Sequence, residues 1–499
     1  MFSLRKIAIM ITTLLIATNL YAKKLPGVNW YEGSVKSAFK EAQKKSKPLF
    51  LYWGAAWCPP CNQMKKTVFT KKEFQTVTKK FINVYLDGDD ERAQIWGDKL
   101  KAYGYPTMIL FSSTGKELMR LPTGVSAAKY VSLMENALKG QKTIGEIFEA
   151  ALTSSDKKPL SDDSWEIISG YSWAQVEDEN LKEKLTSENM KKIYSLVPAK
   201  LDEVKARLFM RYLQLVVEED VKKEIPYLQK ELRRILSSKK LVLATLEDLV
   251  WNAKDFLKFL YPLSSDERAK LIFKWGAAMK KVNKNERLSL DERLSALFPL
   301  ITLSPQTKEK NSFYVEQFAK SAFKQAKGEY ERQAVVSTAV YLLRKIGKID
   351  DAKKMAKKEI KTSTRPYYFM SQLASILEEE GKRGEALSWR KKGWEASTGN
   401  ATRFQWGVDY VTAITRLDPA NTESLKKTTL QVLRESLLRE DALSGRNYYR
   451  LQRITKSFNK WTGPTSYRLK MIKDLKKELT KDCEKTALSR KCLDWVNSL

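Results

Sequence analysis

Histidine is absent from the 499 residues. Without an imidazole there is no Ser-His-Asp triad, no Cys-His dyad and no histidine-ligated zinc, so acid–base chemistry falls to carboxylates, tyrosine, lysine, thiols or water. Cysteine is scarce: Cys58 with Cys61, and Cys483 with Cys492. The spacing of the second pair is not that of a zinc ribbon, and neither a metal nor another cofactor is expected. Acidic residues are outnumbered 59 to 90, giving a formal charge of +31. No recognised nucleic-acid motif accompanies that charge, and the export argued below speaks against a nucleic-acid partner. The excess is read as solubility plus weak attraction to anionic lipid, envelope polymer or acidic partners. Beyond the N-terminus no segment is long and apolar enough to cross a bilayer, which takes about 20 apolar residues.

A hydrophobic share of 43% and 13 tryptophans speak for packed segments, and the length is too great for one ordinary core. Arg5 and Lys6 precede an apolar run from Ile7 to Leu20, and Ala22 supplies a small residue before Lys23-Lys24. This is the pattern of a cleavable signal peptide over 1–22, cut after about Ala22, and it predicts a periplasmic or otherwise exported protein. A membrane anchor is the competing reading, against which the run is short.

The spacing predicts a helix over 33–46 and a buried strand over 49–53. A helix begins at Cys58, followed by a strand over 81–86 and a helix over 89–103 capped by Asp87, Asp89 and Asp90. Strands over 108–111 and 117–121 flank a Ser113–Lys116 hairpin turn, and a last helix covers 126–138. The compact unit is expected over 23–140. Serine, lysine, aspartate and Pro159 mark 141–164 as a linker. From 165 to 499 the pattern is helical throughout. Gly347-Lys348 recurs as Gly381-Lys382, Ala352 as Ala386 and Leu343 as Leu377, an offset of 34. That is the tetratricopeptide period, and the repeats over 334–430 resemble such units while lacking most of their signature aromatics. Trp53 and Trp57 are read as packing near the cysteines, and Trp165, Trp173, Trp251, Trp389, Trp394 and Trp406 as filling helix interfaces.

Trp57-Cys58-Pro59-Pro60-Cys61 lies where a strand hands over to a helix. Free N–H groups and the macrodipole at a helix N-terminus favour an anion, which makes Cys58 the candidate nucleophilic thiolate. Cys61, one turn later, is the candidate resolving thiol. Pro59 and Pro60 remove two donors and so tune the thiolate. An inert disulfide or half a metal site are the other readings of this pair. For Cys483 and Cys492, nine residues of unbroken helix would span roughly 13 Å, whereas a disulfide needs Cα atoms within about 7 Å. A structural bond there requires a turn, for which Ala487–Arg490 is the candidate; a relay exchanging with Cys58 is the alternative.

The Trp-Cys-x-x-Cys motif and the Tyr105-Pro106-Thr107 step resemble the thioredoxin superfamily, over about residues 30 to 140. Lys66-Thr67-Val68-Phe69 and Gly115-Lys116-Glu117-Leu118 are similar to periplasmic thioredoxin-like interchange domains. The resemblance implies an α/β thioredoxin fold ahead of an all-α helical-repeat domain. It implies a cis Pro106 facing the dithiol, with Trp57, Tyr105 and Pro106 contacting substrate. Two positions depart from the family: Tyr52 replaces the buried acid six residues before the first cysteine, and Lys66 replaces the kinking proline after the second. The expected activity is thiol–disulfide exchange with protein thiols or disulfides, reduction being preferred over oxidation although the motif leaves direction open. An inner-membrane electron donor or oxidant would restore the pair. The alternative is a helical-repeat scaffold or holdase that binds a client, with the N-terminal unit as an accessory.

Overall fold

The computed structural model describes residue 25 and residues 27–499, apart from 91, 177 and 487. The signal peptide expected over 1–22, and Ala487 of the expected turn, lie outside the described residues. The N-terminal unit runs α1 (Val35–Lys44), β1 (Leu49–Gly54), α2 (Pro59–Thr67), α3 (Lys72–Thr78), β2 (Ile82–Asp87), α4 (Ala93–Lys99), β3 (Thr107–Phe111), β4 (Glu117–Arg120) and α5 (Ala127–Gly140). The sheet order is β2-β1-β3-β4. β1 is parallel to β2, with Tyr52 opposite Tyr85, and antiparallel to β3. A parallel pair needs a crossover, which α2 and α3 supply.

β1 is buried along its whole length because both faces of the sheet are covered. Leu49, Leu51 and Trp53 meet Val35 and Ala38 of α1 in one layer. The alternate residues Phe50 and Tyr52 meet Phe69, Phe74 and Tyr130 in the other. The helix expected over 89–103 is shorter than its acidic cluster suggested. Asp90 accepts from the Asp87 N–H at 2.9 Å and Asp87 from the Asp89 N–H at 3.1 Å, so these carboxylates close a turn and α4 begins only at Ala93.

The stretch 141–164, expected as a linker, carries helix α6 (Ile144–Leu152) and the start of α7 (Asp162–Ser169). A capping box starts α6: Thr143 accepts from the Glu146 N–H and Glu146 from the Thr143 N–H. Ile144, Ile147, Phe148 and Ala151 form its buried face. One apolar cluster runs from Phe50 through Tyr130 and Phe148 to Ala386, so the sheet unit and the first helices share a core. Beyond them the described chain is a succession of helices, none long and apolar enough to cross a membrane.

The 34-residue correspondence has a structural counterpart. Helices Gly328–Lys345 and Ile349–Thr362 form one hairpin, and Pro366–Glu379 and Arg383–Ala396 the next. Both turns place glycine at positive φ, +83° at Gly347 and +76° at Gly381. The residue after each donates back across the turn at 2.9 Å, Lys348 to Leu343 and Lys382 to Leu377. Ala352 and Ala386 are both fully buried. The helices then return to the N-terminal unit, Gly328–Lys345 packing on α2 and Gly445–Thr462 on α4.

Candidate functional site

Cys58 is the N-cap of α2, with extended backbone (φ −69°, ψ 117°). Pro59 and Pro60 suit the first helical positions because their missing N–H groups have no intrahelical partner there anyway. The first available amide is therefore that of Cys61, which donates to Cys58 Sγ at 3.3 Å. Asn62, buried, fastens the loop from below by donating to the carbonyls of Ala56 (2.8 Å) and Cys58 (2.9 Å). Cys58 and Cys61 are joined as a disulfide with a Cα separation of 5.2 Å.

The Tyr105–Pro106 peptide is cis, and the Tyr105 carbonyl lies 3.6 Å from Cys58 Sγ. The Tyr105 hydroxyl accepts from Gln94 at 3.1 Å, and its ring packs edge-on against Trp53 at 4.7 Å. Trp57, Tyr105 and Pro106 are thus gathered around the dithiol. Tyr52, in place of the family's acid, is fully buried, stacked on Tyr85, and its hydroxyl makes no hydrogen bond among the described residues. Burial, reinforced by the charge of Asp87, raises its phenol well above the ordinary range, so it stays protonated at physiological pH. The Tyr85 hydroxyl donates to Asp87, and the buried Lys65 ammonium lies over the rings of Tyr85 and Tyr330 at 5.9 and 5.6 Å.

The rest of the site comes from far along the chain. Trp57 donates through Nε1 to Thr402 Oγ1 at 2.9 Å, and its carbonyl accepts from Gln333 at 3.0 Å. Its ring stacks on Tyr368 and meets Trp406 edge-on, with centroids 6.2 and 5.9 Å away. Thr402 donates its N–H and hydroxyl to the Asp89 carboxylate at 2.7 and 2.6 Å. Burial and the neighbouring Asp87 charge lift Asp89 from 3.8 to about 6 despite those two donors. Gly399, at φ +87°, permits this approach, since a Cβ there would lie 2.3 Å from the Asp89 carboxylate. A second contact joins Gly445 N–H to Asp98 at 2.7 Å and Arg446 N–H to Gln94 at 3.0 Å. Beneath this cover Cys58 is 3% exposed and Cys61 0%.

The structure brings Cys58, Cys61, Trp57, Tyr105 and Pro106 together as the sequence expects, and it adds Asp89, Gln333, Tyr368, Thr402, Trp406 and Arg446 around Trp57 and Tyr105, for which the sequence carries no site signal. Trp406, expected as a helix-interface filler, packs edge-on against Trp57 beside the dithiol. Trp251, read the same way, is 56% exposed beside Phe298. Cys483 and Cys492 form a second disulfide, joining helix Ser466–Cys483 to the separate helix Ser489–Asn497. They belong to a cluster that also packs on Trp57 but make no bond to Cys58. Among the described residues no cluster of acidic or cysteine side chains is arranged to hold a metal.

Residues 35–138 match the family model described as a thioredoxin-like domain. A solved structure titled "DsbH Oxidoreductase" is similar at 23% identity, with 24% of this chain and 94% of that chain covered and a TM-score of 0.21. No curated protein matches the chain. From its strand order, its Cys58–Cys61 pair and this family match, residues 35–138 are a thioredoxin-like domain, followed by a long helical region.

Proposed function

We propose that the protein is a thiol:disulfide oxidoreductase acting on protein substrates outside the cytoplasm, with Cys58 as attacking thiol and Cys61 as resolving thiol. The observation that carries this reading is Cys58 at the N-cap of α2, its sulfur against the carbonyl of the cis Tyr105–Pro106 step. The helix N-terminus stabilises a thiolate there. Trp57, Tyr105 and Pro106 lie beside it, and once the helical region moves away the backbone at Tyr105 suits strand-like pairing with an extended substrate segment. The Arg5-Lys6 and Ile7–Leu20 pattern, together with the Cys483–Cys492 disulfide, supports an oxidising compartment.

In the reducing direction the Cys58 thiolate attacks one sulfur of a substrate disulfide. A Cys58–substrate disulfide forms and one substrate thiolate leaves. Cys61, deprotonated, then attacks Cys58 Sγ; the mixed disulfide breaks, the Cys58–Cys61 bond forms and the second substrate thiolate departs. Two electrons have passed to the substrate, and a dithiol donor, which we assign to the inner membrane, must return them. Pro59 and Pro60 limit the amide donors available to Cys58 and so bias the pair's poise. The burial of Cys58 requires the helical region to shift before a protein substrate can reach it.

The test is reduction of insulin by the full chain. Cys61→Ser should accumulate mixed disulfides through Cys58, and Cys58→Ser should accumulate none; equal trapping by both would overturn the assignment. The covered dithiol favours one second reading, a scaffold or holdase whose helical surface binds clients. Suppression of client aggregation that survives Cys58→Ser, in a protein with no thiol-dependent turnover, would select it.

A further inference from the structure

Between the thioredoxin-like domain and the helical region, the guanidinium groups of Arg446 and Arg450 converge on a single neutral acceptor. Arg446 donates to Gln405 Oε1 at 3.1 Å, and Arg450 donates to the same oxygen at 2.7 Å. Arg446 also donates to the Tyr103 carbonyl at 2.9 Å and lies 4.3 Å above the Tyr105 ring. Among the described residues neither arginine forms an ion pair. The nearby Asp409, whose charge offsets only part of the burial of Arg450, is itself bound by Arg453 at 2.5 Å. Burial pushes the Arg450 guanidinium down to about 10 and Arg446 below its ordinary value.

Two like charges drawn out of water toward one amide oxygen are poorly compensated, because each guanidinium has five donors and seeks a planar anionic acceptor. Their location makes this informative. They line a recess with Trp57, Tyr105 and Thr402, and two of these residues flank the dithiol: Trp57 immediately precedes Cys58, and the Tyr105 carbonyl lies 3.6 Å from its sulfur. The space left there is about 10 Å³, room for one water-sized group, so anything larger enters as the two regions part and the Gln405 amide gives way.

We propose that Arg446 and Arg450 form a carboxylate-binding subsite that selects substrates carrying an aspartate or glutamate beside the reacting cysteine. The inference rests on the reading of Cys58 as the reacting thiol. A carboxylate reaching the recess replaces Gln405 as the shared acceptor and accepts from both guanidiniums while the neighbouring cysteine meets Cys58. Arg450 is a specificity residue in this scheme, and it takes no part in the electron transfer.

The experiment uses the full-length protein and three single-disulfide peptides identical except for Asp, Asn or Lys next to one cysteine. The wild type should reduce the Asp peptide with a kcat/KM about tenfold above the Asn peptide, the scale of a charge-assisted hydrogen bond, and the Lys peptide least well. Arg450→Gln should bring the Asp-to-Asn ratio toward one, and Arg450→Lys should restore part of it. Glutathione disulfide, a small disulfide bearing carboxylates, separates the two sources of that group: discrimination by Arg450 among peptides, with no Arg450 dependence for this compound, identifies the protein side chain. Calorimetric binding of the same peptides with serine for cysteine provides a readout without thiol chemistry. A charge preference there that Arg450→Gln erases supports the subsite even if no peptide is reduced, an outcome that would sink only the oxidoreductase reading. Equal kcat/KM and equal binding of the Asp and Asn peptides by the wild type would overturn the subsite.

Discussion

The two cysteine pairs have nearly the same Cα separation, 5.2 Å for Cys58–Cys61 and 5.5 Å for Cys483–Cys492, and in each the second cysteine lies near the start of a helix, yet the first cysteines sit at opposite helix ends. Cys58 precedes the first turn of α2, where unpaired N–H groups favour negative charge. Cys483 is the last residue of its helix, where unpaired carbonyls disfavour a thiolate. The first pair has the cis Tyr105–Pro106 step and a cover from the helical region beside it. The second is packed among Leu475, Leu479, Trp495 and Val496. A sequence count of paired cysteines does not separate these cases; the polarity of the helix end does.

The sharpest test of that contrast is substitution. Cys58→Ser should reduce disulfide exchange to the uncatalysed rate, while Cys483→Ser with Cys492→Ser should leave it within about twofold, the sites being independent. Comparable losses in both would break the comparison.

Next in size is removal of the cover. Gly399→Val forces a side chain onto the Asp89 carboxylate at a positive φ and should raise iodoacetamide labelling of reduced Cys58 about tenfold or more, the equivalent of losing a charge-assisted hydrogen bond. Labelling of reduced Cys483 should be unchanged. The third effect runs the other way: Cys483→Ser with Cys492→Ser should lower unfolding free energy by about 2 to 3 kcal/mol for so short a loop, read as a shift in urea midpoint.

The smallest effect is a pH dependence of the cover. Asp89 titrates near 6 when docked against an ordinary 3.8, so the docked state binds the proton more tightly. Its contribution is full below about 3.8 and is lost as pH rises through about 6. Relative to Asp89→Asn, the wild type should expose Cys58 more readily at pH 7 than at pH 4.5, by up to about tenfold.

Much of the N-terminal unit was legible in the sequence because its signals are local. Leu49–Trp53 is a wholly apolar run, and the prolines after Cys58 announce a helix start. The helix inside the expected linker has a readable signal as well. Ile144, Ile147, Phe148 and Ala151 keep helical spacing behind a Thr143–Glu146 capping box, and the polar stretch after them outweighed it. The cover over the dithiol carried no such signal. Trp57 and Thr402 are 345 positions apart, and nothing near Thr402 or Gly399 distinguishes them from ordinary helix-start residues. Pairings at that separation are made by the stacking of whole helices, which periodicity does not report.

The hydrogen bond from Trp57 to Thr402 adjoins the residue that carries the proposed chemistry, and this makes oxidation and docking two legs of one thermodynamic cycle. If the helical region holds the disulfide form more tightly than the dithiol, the couple becomes harder to reduce by the same factor, about 30 mV for each tenfold preference. A client that pulls the helical region away cancels that bias. By reciprocity, reducing the pair then loosens the grip of the helical region on Trp57 to the same extent.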